Sequence, residues 1–397
     1  MSLQARMRRS AARVQRLRHD NAYFFHQSIA APDDVWVDID GQRMLMLSSY
    51  NYLSLQRSPE VISEVELQLK RFGTSAGGSP LLSGTTAAHL GLQSELAAFI
   101  GQDDAMLFSS GYVANLTTIS TLVDRGDWVI ADELNHASIM DGCRLSGATF
   151  KRYRHNDAAH LDETLAGAPS EATKLVIADG VFSMDGDILD LPSISAACRR
   201  HGALLMVDEA HSLGVLGPTG RGVEEHWGTR GLVDVHMGVL SKALPSSGGY
   251  VAASRALVDY LRHNAHGYIF SGSLSPASVA AARSALAVLE REPQRVTRLR
   301  QQSDGFRAAL QARGLNTGTS LTPIVPIVVG DERNAHALAR HMQRNGFFAL
   351  AVVPPAVPNT TCRIRFCVNA GHAAVDLERA AETLRQGCLQ LGIEASH

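Results

Sequence analysis

The sequence predicts an α/β protein: a large domain on a mostly parallel sheet covered by helices on both faces, then a smaller α/β C-terminal domain. Three observations predict it. From about residue 104 to 254, short β-branched and apolar runs alternate with amphipathic helical patterns. Those runs are apolar along nearly their whole length, where a strand with one wet face would alternate. From about residue 276 a long helical pattern leads into a further strand–helix–strand unit. Parallel neighbours need helical crossovers, so alternating strands and helices favour a layered sheet over a sandwich or barrel.

Taken in order, residues 1–45 read as an N-terminal arm, 46–290 as the large domain and 291–397 as the C-terminal domain. The first 19 residues hold six arginines and no acid. This suits an exposed basic helix, with a mitochondrial presequence as the lesser reading. Strands are expected at 105–108, 128–132, 149–154, 174–182, 203–211, 235–240 and 249–254. Between two of them, "PSISAACRRHG" (192–202) opens with Pro and closes with Gly, as helices prefer. In the C-terminal unit, "IVPIVVG" (324–330) and "CRIRFCV" (362–368) read as strands around a helix at 333–345.

A length of 397 residues, 45% hydrophobic and 19% charged, is ordinary for a globular enzyme. A net charge of −2 gives no electrostatic case for nucleic acid or an anionic membrane. No apolar run approaches the roughly 18 residues of a membrane span. Five cysteines without C-x-x-C spacing argue against a disulfide framework or a zinc site and for a reducing, cytoplasmic setting. The sequons at Asn115 and Asn359 then read as chance matches. Asp185, Asp187 and Asp190 lack the terminal glutamate of a calcium loop and read as a tight turn. No metal is expected.

Chemistry should sit beyond the carboxyl ends of the strands. Only four of the 37 basic residues are lysines. Lys70, Lys151 and Lys174 lie in polar stretches where a solvated charge explains them. Lys242, in "MGVLSKALPSSGGYVAAS", lies among small and apolar residues. A buried amine can shed its proton and attack a carbonyl, which a guanidinium cannot; a snorkelling lysine is the plain alternative. "MVDEAHSLG" puts Asp208 and His211 at one strand end, "GVFSMDGD" puts Ser183 at another, and "DELNHAS" puts His136 at a helix start. "FSSGYVAN" ends a strand with Ser109, Ser110 and Gly111 and starts a helix at Tyr112, whose free N–H groups suit a phosphate. Singly, each has a structural explanation as a cap, a turn or a satisfied histidine. Together they describe a pyridoxal 5'-phosphate site, with the lysine as Schiff-base partner and the carboxylate holding the pyridine nitrogen protonated.

"SSYNYLSL", "GGSPLLSGTTAAHLGLQSEL", "FSSGYVAN", "DELNHASIMDGCRLS", "GVFSMDGD", "VDEAHSLGVLGPTGRG", "LSKALPSSGGYVA", "IFSGSLSP" and "VVPPAVP…CRIRFCVNAGH" together resemble the α-oxoamine synthases, fold-type-I pyridoxal phosphate transferases. The likeness runs from about residue 45 to 385 in the family's motif order, with a serine palmitoyltransferase-like or 8-amino-7-oxononanoate synthase-like flavour. By this resemblance Lys242 would carry the cofactor and move the Cα proton. Asp208 would pair with the pyridine nitrogen, His211 with Ser183 would meet the ring oxygen, and His136 would stack on the ring. Ser110, Gly111, Tyr112 and Ser241 would receive the phosphate, and Arg365 the amino-acid carboxylate. Ser271 and Gly272 would approach the phosphate of a neighbour in a homodimer.

The resemblance implies condensation of serine, alanine or glycine with an acyl-CoA or acyl-carrier thioester, giving an α-amino ketone, CO2 and free thiol. An aminotransferase on the same scaffold, or a non-catalytic binding protein, are the alternatives. The sequence also departs from the family. Val239 and Gly272 replace phosphate-binding hydroxyls, Val353 and Pro80 stand where arginines are usual, and Tyr50 stands near the substrate where several members have asparagine. These changes bear on substrate and cofactor affinity and point to a specialised biosynthetic member.

Overall fold

The computed structural model describes residues 1–20, 23–30 and 33–394. Residues 21–22, 31–32 and 395–397, within the expected arm and C-terminal domain, lie outside the described residues. The strands in chain order are β1 (Trp36–Ile39), β2 (Gln42–Met46), β3 (Asp104–Phe108), β4 (Trp128–Asp132), β5 (Thr149–Tyr153), β6 (Lys174–Asp179) and β7 (Leu204–Asp208). They continue with β8 (Val235–Ser241), β9 (Pro245–Ala253), β10 (Ile324–Gly330), β11 (Phe347–Phe348), β12 (Ala351–Val352) and β13 (Cys362–Cys367).

Seven strands form the central sheet in the order β3-β9-β8-β7-β6-β4-β5. All its neighbours pair in parallel except β9, which runs antiparallel to both β3 and β8. The alternation hidden in the apolar runs becomes visible here. Ile130, Val176, Leu205 and Val207 enter one core, while Val129, Ile177, Met206 and Val235 enter another. Successive side chains point to opposite faces, and both faces are covered, so no position needs to be polar. Helices Ala87–Ile100, Leu191–Arg200 and Pro276–Arg291 bury residues in the first core; Gly111–Leu122, Ala137–Ser146 and Arg255–Asn264 bury theirs in the second.

A separate apolar core joins β10 and β13 to helices Gln294–Ala312, Glu332–Arg344 and Ala374–Leu391. β10, β13 and β12 form an antiparallel sheet. The β1–β2 hairpin is tied to this core, because β2 pairs in parallel with β11 and contributes Leu45. The basic helix Leu3–His19 docks there too, through Arg13, which donates to Glu332 at 2.7 Å and to the Pro354 carbonyl at 3.2 Å.

Some sequence readings shift. The strand expected over 174–182 stops at Asp179, the one over 203–211 stops at Asp208, and the one over 249–254 begins at Pro245. The helix expected from Tyr112 begins at Gly111. Lys174 is not a solvated charge: it is 9% exposed and its Nζ donates to the Ser170 carbonyl at 3.3 Å. Asp185, Asp187 and Asp190 divide their work between Arg363, His155 and the cap of helix Leu191–Arg200. No helix among the described residues is long and apolar enough to cross a membrane.

Candidate active site

β6, β7 and β8 run in parallel, so their carboxyl ends open on the same side of the sheet. Lys242 follows β8 directly, in the short connection to β9. Its Nζ lies 2.9 Å from His211 Nε2 and 5.5 Å from the centre of the Tyr50 ring. Burial lowers the Lys242 pKa to about 8; the Asp208 charge opposes that shift and Arg365 adds to it. Burial, then the charges of Lys242 and Arg365, hold His211 well below its ordinary value, so its imidazole is neutral. Its Nδ1 meets the Tyr52 hydroxyl at 2.7 Å. With an ammonium facing Nε2, the consistent tautomer carries its proton on Nδ1 and donates to Tyr52.

Asp208 ends β7 and is buried. Its Oδ2 accepts from Asn115 Nδ2 at 2.7 Å, and its Oδ1 accepts from the Ala210 N–H at 2.9 Å. Asn115 Nδ2 also reaches Ser138 Oγ at 2.9 Å, and that hydroxyl lies 2.7 Å from His136 Nδ1. A line of polar groups therefore runs from the acid to the N-cap of helix Ala137–Ser146. Burial lowers the pKa of His136, Asp208 pulls it up, and Lys242 lowers it again. The sequon asparagine at 115 is thus a buried structural group, not a glycosylation acceptor.

At the other end of the cavity, helix Gly111–Leu122 is capped by Ser110, whose Oγ accepts from the Val113 N–H at 3.2 Å. The first N–H groups of a helix lack intrahelical partners and suit an anion. Only glycine fits at 111, since a Cβ there would overlap Val239 Cγ1. Gly249 is equally constrained, because its Cβ would lie 2.8 Å from Gly111 Cα.

Ser110, Gly111, Tyr112, His136 and Ser183 line one cavity of about 260 Å³, together with Asp208, His211, Ser241 and Lys242. Ser241 and Lys242 also line a neighbouring cavity of about 610 Å³, with Tyr50, Met46 and Phe348. Arg365 approaches through Tyr50: it hydrogen-bonds the phenol hydroxyl, and its Nη1 donates to the Ser183 carbonyl at 2.8 Å. Ser271 and Gly272 do not line the cofactor-sized cavity within one chain, and neither does Pro80. Val353 is buried in the core shared by β10 and β13.

Sequence reasoning missed Asn115, Ser138, Tyr52 and Asp179. Tyr52, Asn115 and Ser138 lie in the motifs named above, and Asp179 lies inside the expected strand 174–182. Asp179 alone carried a usable signal, as a polar residue closing an apolar run just as Asp208 does. It is buried and lines the smaller cavity. Two buried atoms of that cavity, Asn115 Oδ1 and Asp179 Oδ1, have no hydrogen-bond partner among the described residues. An apolar ligand would leave them bare, while a polar heterocycle with a phosphate at the glycine cradle fits both ends.

An amine of lowered pKa, a carboxylate, a neutral histidine and a helix N-terminus at the carboxyl end of one sheet define a pyridoxal phosphate enzyme of fold type I. The comparisons agree. The family Aminotransferase class I and II matches residues 42–384. An 8-amino-7-oxononanoate synthase from Geobacter sulfurreducens is 43% identical over 96% of this chain and 98% of its own. A serine palmitoyltransferase from Sphingobacterium spiritivorum is 38% identical over 96% of both. A serine palmitoyltransferase structure from S. paucimobilis with a bound PLP–myriocin aldimine superposes with a TM-score of 0.95 at 32% identity, covering 99% of this chain and 100% of that one. The chain belongs to the aminotransferase class I and II family and, within it, to the α-oxoamine synthases.

Proposed function

We propose that the protein condenses a small amino acid (serine, alanine or glycine) with an acyl thioester, acyl-CoA or acyl-carrier protein, with loss of CO2. One observation carries this beyond transamination. Lys242 stands at the junction of two cavities, one of cofactor size and one of about 610 Å³. Either reaction needs room for an amino acid beside the cofactor, whereas acylation needs further room for a thioester at the same carbon, which the second cavity offers. Tyr50 and His211 stand edge to face beside Lys242, with ring centres 5.4 Å apart.

In this reading Lys242 holds the cofactor and takes the Cα proton, for which a pKa of about 8 suits it near neutral pH. Pyridoxal phosphate supplies the electron sink when bound. Asp208 would face the ring nitrogen, His211 with Ser183 the ring oxygen, and His136 the ring face. Ser110, Gly111, Tyr112 and Ser241 would hold the phosphate. Arg365, fixed by Ser183 and Tyr50, offers its remaining N–H groups to the carboxylate. The bonds balance: Cα loses a proton and bonds the acyl carbon while the C–S bond breaks and the sulfur gains a proton, and after CO2 leaves Cα takes up one proton from solvent.

A homodimer with shared sites is part of the same proposal. Leu82 and Phe270 are 86% and 79% exposed, and Phe270 directly precedes Ser271 and Gly272. Large apolar side chains this exposed favour burial against a second copy, which would bring Ser271 and Gly272 to the partner's phosphate end. A cytoplasmic location is supported by five free, buried cysteines.

The test mixes holoprotein with each amino acid and acyl thioesters of graded length on CoA or carrier protein. Equal release of thiol and CO2 is expected. Keto acid formed without any thioester would instead make the protein an aminotransferase.

A further inference from the structure

Asp179 closes β6 as Asp208 closes β7, and the two are Cα partners across adjacent parallel strands. Both are buried and both line the smaller cavity. Their hydrogen bonding differs in kind. Each oxygen of Asp208 accepts an N–H, from Asn115 and Ala210, which uses the acceptor-only pattern of a carboxylate. Asp179 receives one donor, the His136 N–H on Oδ2 at 3.2 Å, and its Oδ1 has no partner among the described residues. Two carboxylates side by side in a site of low polarity cannot both stay charged at low cost, so the better-solvated one keeps the charge.

We propose that Asp179 works in the cofactor cavity as a neutral carboxylic acid beside the Asp208 carboxylate, its Oδ1 hydroxyl donating a hydrogen bond to the bound ring system. The hydrogen bonds already present assign the proton. Oδ2 accepts the His136 N–H and is therefore the carbonyl oxygen, which leaves Oδ1 as the hydroxyl with nothing among the described residues to receive it. The charged and titratable groups around it are Asp208 on β7, Asp132 at the end of β4, Tyr153 at the end of β5 and Lys242 after β8, with the His136 N–H donating from the helix start. Burial and the Asp208 charge raise the Asp179 pKa well above the carboxylate range, against the pull of Lys242.

Two consequences follow. The ring nitrogen faces one negative charge rather than two, which leaves the neighbouring Lys242 nearer neutrality. Asp179 also becomes a positioning residue, since a single carboxyl group anchors the N-cap of helix Ala137–Ser146 and reaches the ring. This rests on the cofactor assignment and not on the acyl-transfer reading, so the test needs no turnover.

Wild-type holoprotein, Asp179→Asn and Asp179→Ala are compared by difference infrared spectroscopy, by pH titration of the cofactor absorbance and by cofactor release. The expected results are a protonated-carboxyl band present in the wild type and absent in D179N, and an unchanged absorbance midpoint in D179N. Cofactor release should be about three- to tenfold faster in D179A, for one lost hydrogen bond. D179N is close in shape, so it stays informative should D179A fold poorly. A missing band, with a midpoint that falls in D179N because a negative charge has gone, overturns the proposal.

Discussion

His155 offers the most quantitative check on how the site is held. Its ring lies between the Asp132 carboxylate at 3.1 Å and the Asp187 carboxylate at 2.8 Å, against the Phe182 ring at 4.4 Å. Burial disfavours its charge, but hydrogen bonds and charges from Asp132 and Asp187 outweigh that and push its pKa from 6.5 up to about 10. A folded-state pKa above the unfolded one means stabilisation that is complete below about pH 6.5 and lost as pH rises through about 10. The difference between those values, at about 1.36 kcal/mol per pH unit, sets a ceiling of about 5 kcal/mol. A side chain 26% open to solvent is partly screened, which brings the expectation to about 2–3 kcal/mol.

The perturbation is His155→Gln, which keeps polar contacts and removes the charge. Urea unfolding of wild type and variant across this pH range should give a gap of about 2–3 kcal/mol near pH 6.5, closing towards zero near pH 10. A gap that stays constant across the range would refute the charge argument, leaving only a packing role. The contact also bears on function. Phe182 N donates to the Asp187 carbonyl at 3.0 Å, and the next residue, Ser183, gives its carbonyl to Arg365. H155Q should therefore also raise KM for the amino acid.

Two further outcomes follow from the site. Arg365→Lys replaces a forked guanidinium, fixed by Ser183 and Tyr50, with a point charge; KM for the amino acid should rise about 10- to 100-fold, the span of one charged hydrogen bond. A rise confined to the thioester KM would assign Arg365 elsewhere. Val239→Thr adds a hydroxyl beside Gly111 with little change of shape, since Val239 Cγ1 is what excludes a Cβ there. Dialysis of the holoprotein should show cofactor release slowed about three- to tenfold, and an unchanged rate would take residue 239 out of the phosphate contacts.

The elements most legible in the sequence were those whose pattern follows from burial alone. The strands 128–132 and 324–330 and the helix beginning at Pro276 fall where the apolar runs and the helical pattern expected from about residue 276 put them. The boundary errors share a cause. After Asp179 the chain stays apolar through Val181 and Phe182, and Val181 makes an isolated bridge to Ile188, so hydrophobicity carries on past the end of the ladder. Extending the strand over that stretch placed Asp179 inside it and hid the residue that mirrors Asp208. The β1–β2 hairpin was lost in the expected arm because its partner, β11, lies some 300 residues away and is two residues long; pairing at that range leaves no local period.

The site divides along a chemical line. Lys242 stood out because the reaction needs a residue type that can be both cation and nucleophile, in a chain that otherwise writes arginine. Asp208 stood out because a carboxylate closing a wholly apolar strand demands a reason. Asn115, Ser138 and Tyr52 only hold other groups in place, and many polar residues could do that work at other positions. Their identity is set by distances of 2.7 to 2.9 Å across separate elements, and no single sequence encodes a distance. Asp179 lies between the two cases: its type and its place at a strand end were readable, but which of the two acids keeps its proton depends on how many N–H groups reach each one, and that count exists only after folding.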